Sequence, residues 1–283
     1  MTKSDGTKED LVKIIRDDSL GNMSWDYKKN GVGTSTYDYG SNDWTDSQLM
    51  MMLNPTDYLK SGYTIDNNIV KDSKGQAIYQ NMGSYYNGTS GCKPSSIASG
   101  ADFTCTSIDF TSTGLKNDLT RNAIESVVWN LGGTSSNNSA SNGLASHWYG
   151  YERGTTVYSG RPITWTGKVG LMYLSDYGYA TSGGSTTNRA ACLAKELYHW
   201  SDSDVSDCKN NDYLFKSSYY QWALAPNSSS SNGVFVVSTN GYVYNDFASN
   251  ADGASPVTFL KSNILISEVG NGSSESPYQL SMK

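Results

Sequence analysis

Two histidines, four cysteines and a scatter of carboxylates are the side chains of this 283-residue sequence that could do covalent or metal chemistry. Catalysis of the Ser-His-Asp or Cys-His kind needs a histidine beside its nucleophile. His199 stands in Glu196-Leu197-Tyr198-His199-Trp200 and His147 in a Ser/Asn/Gly-rich loop, so a surface or packing role is expected of both. No G-x-S-x-G, H-E-x-x-H or phosphate-cradling loop occurs. Asp176 and Glu152 are candidate acid–base carboxylates on the glycosidase pattern, but the sequence defines no separation between them. Asn210-Asn211-Asp212 offers oxygens of the kind calcium takes, without the regular spacing of an EF-hand, and reads as a solvated loop. No metal and no cofactor are expected.

The cysteines fall into two local pairs, Cys92/Cys105 and Cys192/Cys208. Four cysteines permit three connectivities, of which local pairing is the simplest. A disulfide closing about 15 residues contributes roughly 3 kcal/mol in the chain-entropy model. Zinc is the competing reading, disfavoured because neither pair has C-x2-C spacing and only His147 and His199 could assist. Disulfides imply an oxidising, extracellular setting. The polar start, Met1-Thr2-Lys3-Ser4-Asp5-Gly6, is not a signal peptide, and no apolar run approaches the roughly 18 residues of a membrane span. The sequons at Asn22, Asn87 and Asn271 are what so Asn/Ser-rich a chain carries by chance.

Net charge is −6 and no basic stripe exists, which disfavours nucleic acid and anionic membranes as partners. With 37% hydrophobic residues, 21 Tyr and 7 Trp, the composition suits loop-rich β structure with amphipathic aromatic surfaces.

Those side chains need elements to position them. Asp10 to Arg16 reads as a short strand or helical remnant. A short helix spans the Met50–Met52 cluster, with Asp43 or Thr45 as cap and Pro55 as stop. Residues 61–112 read as an irregular insertion. Leu115, Leu119, Ala123, Val127 and Leu131, widened by Ile124 and Val128, predict a helix over 115–131 that Gly132-Gly133 ends. Lys168 to Leu174 predicts a buried strand, and Ser175 to Tyr179 a turn away from it. Val234–Ser238, Thr239-Asn240-Gly241 and Tyr242–Tyr244 predict a hairpin with a type I′ turn. Pro256–Leu260 and Ile264–Ile266 are two further strands. Helices precede a β meander, so the class is α+β with antiparallel pairing.

Several segments resemble a bacterial C-type-lectin-fold family. Trp44-Thr45-Asp46-Ser47-Gln48-Leu49, ending in Leu53-Asn54, resembles its W-x-x-S-x-L…L-N helix, and Trp222-Ala223-Leu224-Ala225-Pro226 its W-L-R-S-P strand. Gly253 to Leu260 resembles the family's G-V-R-P-V-x-x-L strand. Gly270 to Ser273 with Ser276 to Leu280 resembles its terminal G-x-G-T…N-P-Y-x-L. Ala123 to Gly133 and Trp165 to Ala180 resemble type IV pilin-like surface proteins, whose N-terminal anchoring helix has no counterpart here. Leu224 and Ser255 stand where the family usually has Arg, so the ion pairs of those arginines are missing. The paired active-site cysteines of the sulfatase-modifying enzymes that share the fold have no evident counterpart, and the sugar–calcium motifs of animal lectins are absent.

The resemblance implies one C-type-lectin-like domain over residues 1–283, with two main helices, antiparallel hairpins, disulfides and irregular insertions. The loop-in-a-loop character of that fold implies that Leu11–Ile15 pairs with Tyr278–Met282. Functionally it implies a non-enzymatic extracellular binding or adhesion module on a cell surface or pilus, meeting a protein or glycan of another cell and other pilin subunits. A purely structural pilus subunit and a cell-wall hydrolase are the alternatives. Some proteins of this fold are variable proteins of diversity-generating retroelements, whose Asn codons near the C terminus are randomised. The Tyr/Asn/Ser-rich stretch 217–255 fits that habit. The hairpin, with Val234, Val236 and Val243 facing the core, leaves Tyr219, Tyr220, Asn227, Asn232, Tyr242, Tyr244, Asn245, Asp246, Phe247 and Asn250 as the expected ligand surface. Tyrosines give large contact area at small entropic cost, and Asn adds adaptable hydrogen bonds.

Overall fold

Short strands and short capped helices dominate the computed structural model, which describes residues 1–26, 40–54, 123–135, 143–266 and most of 269–282. It also describes the backbone of five strands between 64 and 108. Near the N terminus lie β1 (Lys13–Ile15) and β2 (Asn22–Met23). A 3-10 turn, Trp44–Asp46, then leads into α1 (Gln48–Leu53). The capping expected of Asp43 or Thr45 is divided. Asp43 accepts the Thr45 N–H of the turn at 3.0 Å, while the Ser47 hydroxyl accepts the Met50 N–H of α1 at 3.1 Å. Pro55 lies outside the described residues.

The stretch expected to be an irregular insertion contains a meander, β3 (Thr64–Asp66), β4 (Ile69–Lys71) and β5 (Ala77–Tyr79). A hairpin of β6 (Gly91–Pro94) and β7 (Cys105–Ile108) follows. The Cys92–Cys105 pairing falls on side chains outside the described ones.

Of the helix expected over 115–131, residues 115–122 lie outside the described residues, only Ala123 is helical beyond them, and the C-terminal half is strand β8 (Val127–Asn130). A four-residue spacing satisfies both a helical stripe and a strand's period of two. Val127, Val128 and Trp129 prefer a pleated surface, and Val127 and Trp129 are buried while Val128 and Asn130 are half-buried. The loop expected around His147 is helix α2 (Ala145–Glu152), which buries Trp148 and Glu152. The strands that flank it in sequence, β8 and β9 (Thr164–Gly167), pair antiparallel with each other.

The strand expected over 168–174 stops early, as β10 (Val169–Leu171), and Leu174 opens α3 (Leu174–Ala180) where a turn was expected. Asp176 accepts the Tyr173 N–H at 2.8 Å, and Glu152 accepts the Ser175 N–H at 2.9 Å. Carboxylates thus satisfy donors at a helix start that would otherwise be orphaned. Next come α4 (Arg189–Leu193), capped by Asn188, and α5 (Ser206–Asn210). The Cys192–Cys208 disulfide joins them, as the cysteine spacing predicts.

The remaining strands are β11 (Gln221–Pro226), β12 (Gly233–Val237), β13 (Val243–Phe247), β14 (Asp252–Gly253), β15 (Pro256–Phe259), β16 (Ile264–Ile266) and β17 (Leu280–Met282). One five-stranded sheet runs in the order β13-β12-β11-β14-β2 and is antiparallel except at β11–β14. A second sheet, β1-β15-β10, is antiparallel throughout. The expected pairing of the chain's ends is therefore incorrect: β1 pairs with β15, and β17 pairs with β16. Val257 and Phe259 make β15 a buried central strand, whereas Leu265 and Tyr278 leave the terminal hairpin exposed, with little to bury a further strand.

The turn between β12 and β13 also differs from the two-residue type I′ form. The Gly241 N–H donates to the Ser238 carbonyl at 2.9 Å, and the Ser238 N–H to the Tyr242 carbonyl at 2.9 Å. Gly241, at φ +85°, takes the left-handed position of a three-residue loop. Tryptophan fills the core. Trp25 packs against Trp44 at 4.9 Å and Trp222 at 6.0 Å, and Trp222 Nε1 donates to the Met23 carbonyl at 2.7 Å. The α+β class is shown, with several short helices in place of two main ones.

Candidate functional site

β12 is buried on both faces, and that makes it the rigid support of the site. On one face Phe235 packs edge-on to Trp148 at 4.8 Å. On the other, Trp222 of β11 lies opposite Val236. The expected division, valines inward and candidate residues outward, does not hold. Register places Tyr244 opposite Val236 and Asp246 opposite Val234, and cross-strand partners share a face. Tyr244 and Asp246 reach water because β13 is the edge strand. Asn245 and Phe247 lie on the reverse face, Phe247 being 42% exposed.

Alongside that edge opens a cleft of about 460 Å³, lined among others by Asn22, Tyr219, Tyr220, Thr239, Asp246, Asn250 and Asp252. Tyr219 forms a fixed wall. Its hydroxyl accepts the Ser19 N–H at 3.0 Å, and its ring lies so close over Gly253 that a Cβ there would sit 2.3 Å from it. Tyr220, 36% exposed, meets Tyr244 edge-on at 5.8 Å. Tyr244 continues to Tyr242 at 5.3 Å, and Tyr242 to Tyr198 at 5.9 Å. The result is a row of phenols along the sheet edge.

Two carboxyls complete the cleft. Asp246 Oδ1 accepts from Asn250 Nδ2 at 2.6 Å and from the Phe247 N–H at 2.8 Å. Asp252 is 6% exposed, and its Oδ2 has no hydrogen-bond partner among the described residues. Burial, then the neighbouring Asp246 charge, pushes the Asp252 carboxyl up to about 7, and a hydrogen bond between the two carboxyls, which needs a proton, adds to this. Burial and then Asp246 also hold the Tyr244 phenol well above its ordinary range, so it stays neutral.

Of the ten residues expected at the surface, Tyr219, Tyr220, Asp246 and Asn250 line the cleft, and Tyr242 and Tyr244 extend its aromatic row. Asn227 and Asn232 are elsewhere, in the loop from β11 to β12. Asn227 Oδ1 accepts from Ser229 N–H and hydroxyl at 3.0 and 2.8 Å, and Asn232 Oδ1 from the Ser230 hydroxyl at 2.6 Å. Both shape their own loop. Asp252, Asn22 and Tyr198 were not anticipated. The Asp-Gly step at 252–253 is the one local signal for the first, and it marks a turn as readily as a site.

The other candidates for chemistry stay apart from the cleft. Glu152 is sealed against Ser175 and pushed up to about 7 by burial, and Asp176 pairs with Lys13. His199 contacts Asp202 at 3.1 Å and Glu196 at 3.8 Å. Asn210-Asn211-Asp212, expected to be a solvated loop, is not one at Asp212, which is buried and whose carboxyl that burial pushes up to about 8. Among the described residues no cluster of three or more His, Cys, Asp or Glu could hold a metal, and no helix is long and apolar enough to cross a membrane. No family, curated protein or solved structure matches the chain.

Proposed function

We propose that this chain is a non-catalytic ligand-binding module of a bacterial surface protein, with a C-type-lectin-like fold and pilin-like setting, acting outside the cell. The observation that carries the reading is the cleft beside β13: a row of tyrosines and a few fixed polar groups, mounted on a hydrogen-bonded strand whose neighbour is buried on both faces. Pockets of this size with convergent polar groups are ordinary binding sites, and tyrosine is the side chain that binding surfaces favour. The Cys192–Cys208 disulfide suits an oxidising compartment. Apart from Asn22, the lining comes from residues 218–252, within the stretch where a retroelement-diversified protein would vary. The partner is a protein or glycan of another surface.

Arrays of immobilised glycans and of extracellular protein ectodomains test this. The wild-type chain should bind at least one member. Tyr220→Ala/Tyr244→Ala should weaken that binding on the order of tenfold or more, as loss of aromatic anchors does. Phe247→Ala, on the reverse face, should not. A double variant that folds and binds like the wild type would remove the cleft as the site.

A further inference from the structure

We infer that the open edge of β1 is a self-association surface, at which two copies of this chain pair their β1 strands antiparallel about a twofold axis through Lys13.

β1 is the outer strand of the sheet β1-β15-β10. The Leu260 N–H donates to the Val12 carbonyl at 2.9 Å, and the Arg16 N–H to the Pro256 carbonyl at 3.0 Å. Backbone groups of an antiparallel strand alternate in direction, so Val12, Ile14 and Arg16 face β15 while Leu11, Lys13 and Ile15 turn theirs outward. The outward groups meet no backbone partner among the described residues. A lysine pointing into solvent is a usual guard of such an edge. The lysine of β1 is turned the other way. Its ammonium is held by Asp176 and stands 4.9 Å from the Tyr173 ring centre and 5.8 Å from that of Phe259. The outer face instead shows Val12, 55% exposed, and Ile14, 40% exposed, two side chains that suit a pleated surface.

Charge complementarity selects a second copy as the occupant. Strand edges pair through their outward groups, so Leu11, Lys13 and Ile15 must meet outward-turned residues of the partner strand. With the axis at Lys13, Leu11 lies opposite Ile15 of the second copy, and each such pair exchanges both its N–H···O bonds. The same register sets Val12 opposite Ile14 of the second copy, and Asp10 opposite Arg16 of the second copy. The symmetry repeats both contacts, giving an apolar centre flanked by two ion pairs. Asp10 is exposed, and neither it nor Arg16 forms an ion pair among the described residues; the Arg16 Nε donates only to the Asp18 carbonyl, at 3.1 Å. A shift of the axis by one residue in either direction sets Asp10 against Ile14 or Asp18 and loses the match. The two Lys13 side chains lie opposite each other on the inner face, each already neutralised by its own Asp176.

One strand pair of this length falls short of the roughly 1,200 Å² of a standard interface, so the association is weak and depends on concentration, as it would be between chains crowded on one surface. No residue of this sheet lines the cleft, so failure here leaves the binding reading untouched.

Sedimentation velocity of the full chain over a concentration series reaching about 1 mM tests the pairing. A monomer–dimer equilibrium is expected, weakened by added salt because the flanking pairs are exposed. Asp10→Arg or Arg16→Asp alone turns both flanking pairs into like charges and should weaken association about tenfold. Asp10→Arg/Arg16→Asp restores opposite charges across the axis and should recover it. Amide exchange of residues 11–15 should slow as concentration rises. A chain that stays monomeric throughout would overturn the proposal and leave the edge to a strand of another protein. So would a dimer indifferent to the single reversals, a double variant no better than the singles, or slowed amides at β13 instead.

Discussion

Replacing Asp212 with Asn should stabilise the protein, and more so as pH rises. Asp212 follows α5 and is 5% exposed. Its Oδ1 accepts the Leu214 N–H at 2.9 Å, but its Oδ2 has no partner among the described residues. Burial pushes the carboxyl from 3.8 up to about 8, against the lowering effect of the Leu214 and Phe215 amides. The folded state therefore binds the proton more tightly than the unfolded chain. The stability this group contributes is complete below about pH 4, falls as pH rises, and is lost once pH has passed through about 8. A difference of about four pH units, at about 1.4 kcal/mol each, sets a ceiling of about 6 kcal/mol, of which about 4 kcal/mol falls between pH 5 and pH 9. Local opening and water entry reduce such penalties, so a measured change on the order of 2–4 kcal/mol is expected. Asn keeps the acceptor for Leu214 and cannot ionise. Urea unfolding at pH 5, 7 and 9 should give a gap between Asp212→Asn and wild type that widens steadily with pH. Glu152 and Asp252 also sit near 7 and depress both proteins alike at high pH, so the gap isolates Asp212. A gap that stays constant from pH 5 to pH 9 would refute the reasoning.

Two further outcomes follow from the packing. Peptide mapping without reductant should link Cys192 to Cys208, and Cys192→Ala/Cys208→Ala should cost roughly 3 kcal/mol, since the bridge closes a separation of 16 residues; that is roughly 5–10 °C in melting temperature. Asn54→Ala should cost about 2–4 kcal/mol by thermal or urea unfolding, because the Asn54 amide joins α1 to β10 through Met50 O at 2.9 Å, Val169 O at 3.0 Å and Val169 N–H at 3.1 Å, and its removal leaves those buried groups unpaired.

What was legible in the sequence was what depends on neighbours along the chain. β11, β12 and β15 are apolar runs bounded by turn residues, and the Cys192/Cys208 spacing is a local loop closure. The C-terminal half of the helix expected over 115–131 is a strand because its evidence, apolar residues every fourth position, cannot separate the two periods, and tertiary pairing with β9 decided the matter. Helix α2 was missed for a related reason: Ala-Ser-His-Trp-Tyr-Gly-Tyr-Glu has no apolar stripe, and it is helical because Trp148 and Glu152 find buried partners. The same division runs through the site. Tyr219, Tyr220, Tyr242 and Tyr244 were legible because composition alone marks an aromatic surface. Asp252 was not, since its burial is created by pairings remote in sequence: Gly253 beside Gln221, and Asp252 beside Met23. That Asn227 and Asn232 stand apart from the cleft was not legible, because a loop asparagine that reaches outward and one that caps its own turn look identical until the backbone is drawn. An unpaired charge is the most costly feature a fold can bury, and three carboxyls here are pushed up to about 7 or 8. Glu152 is satisfied by Ser175, whereas Asp212 and Asp252 each keep one buried oxygen without a partner among the described residues, which is why burial is the first cause of the upward shift in both.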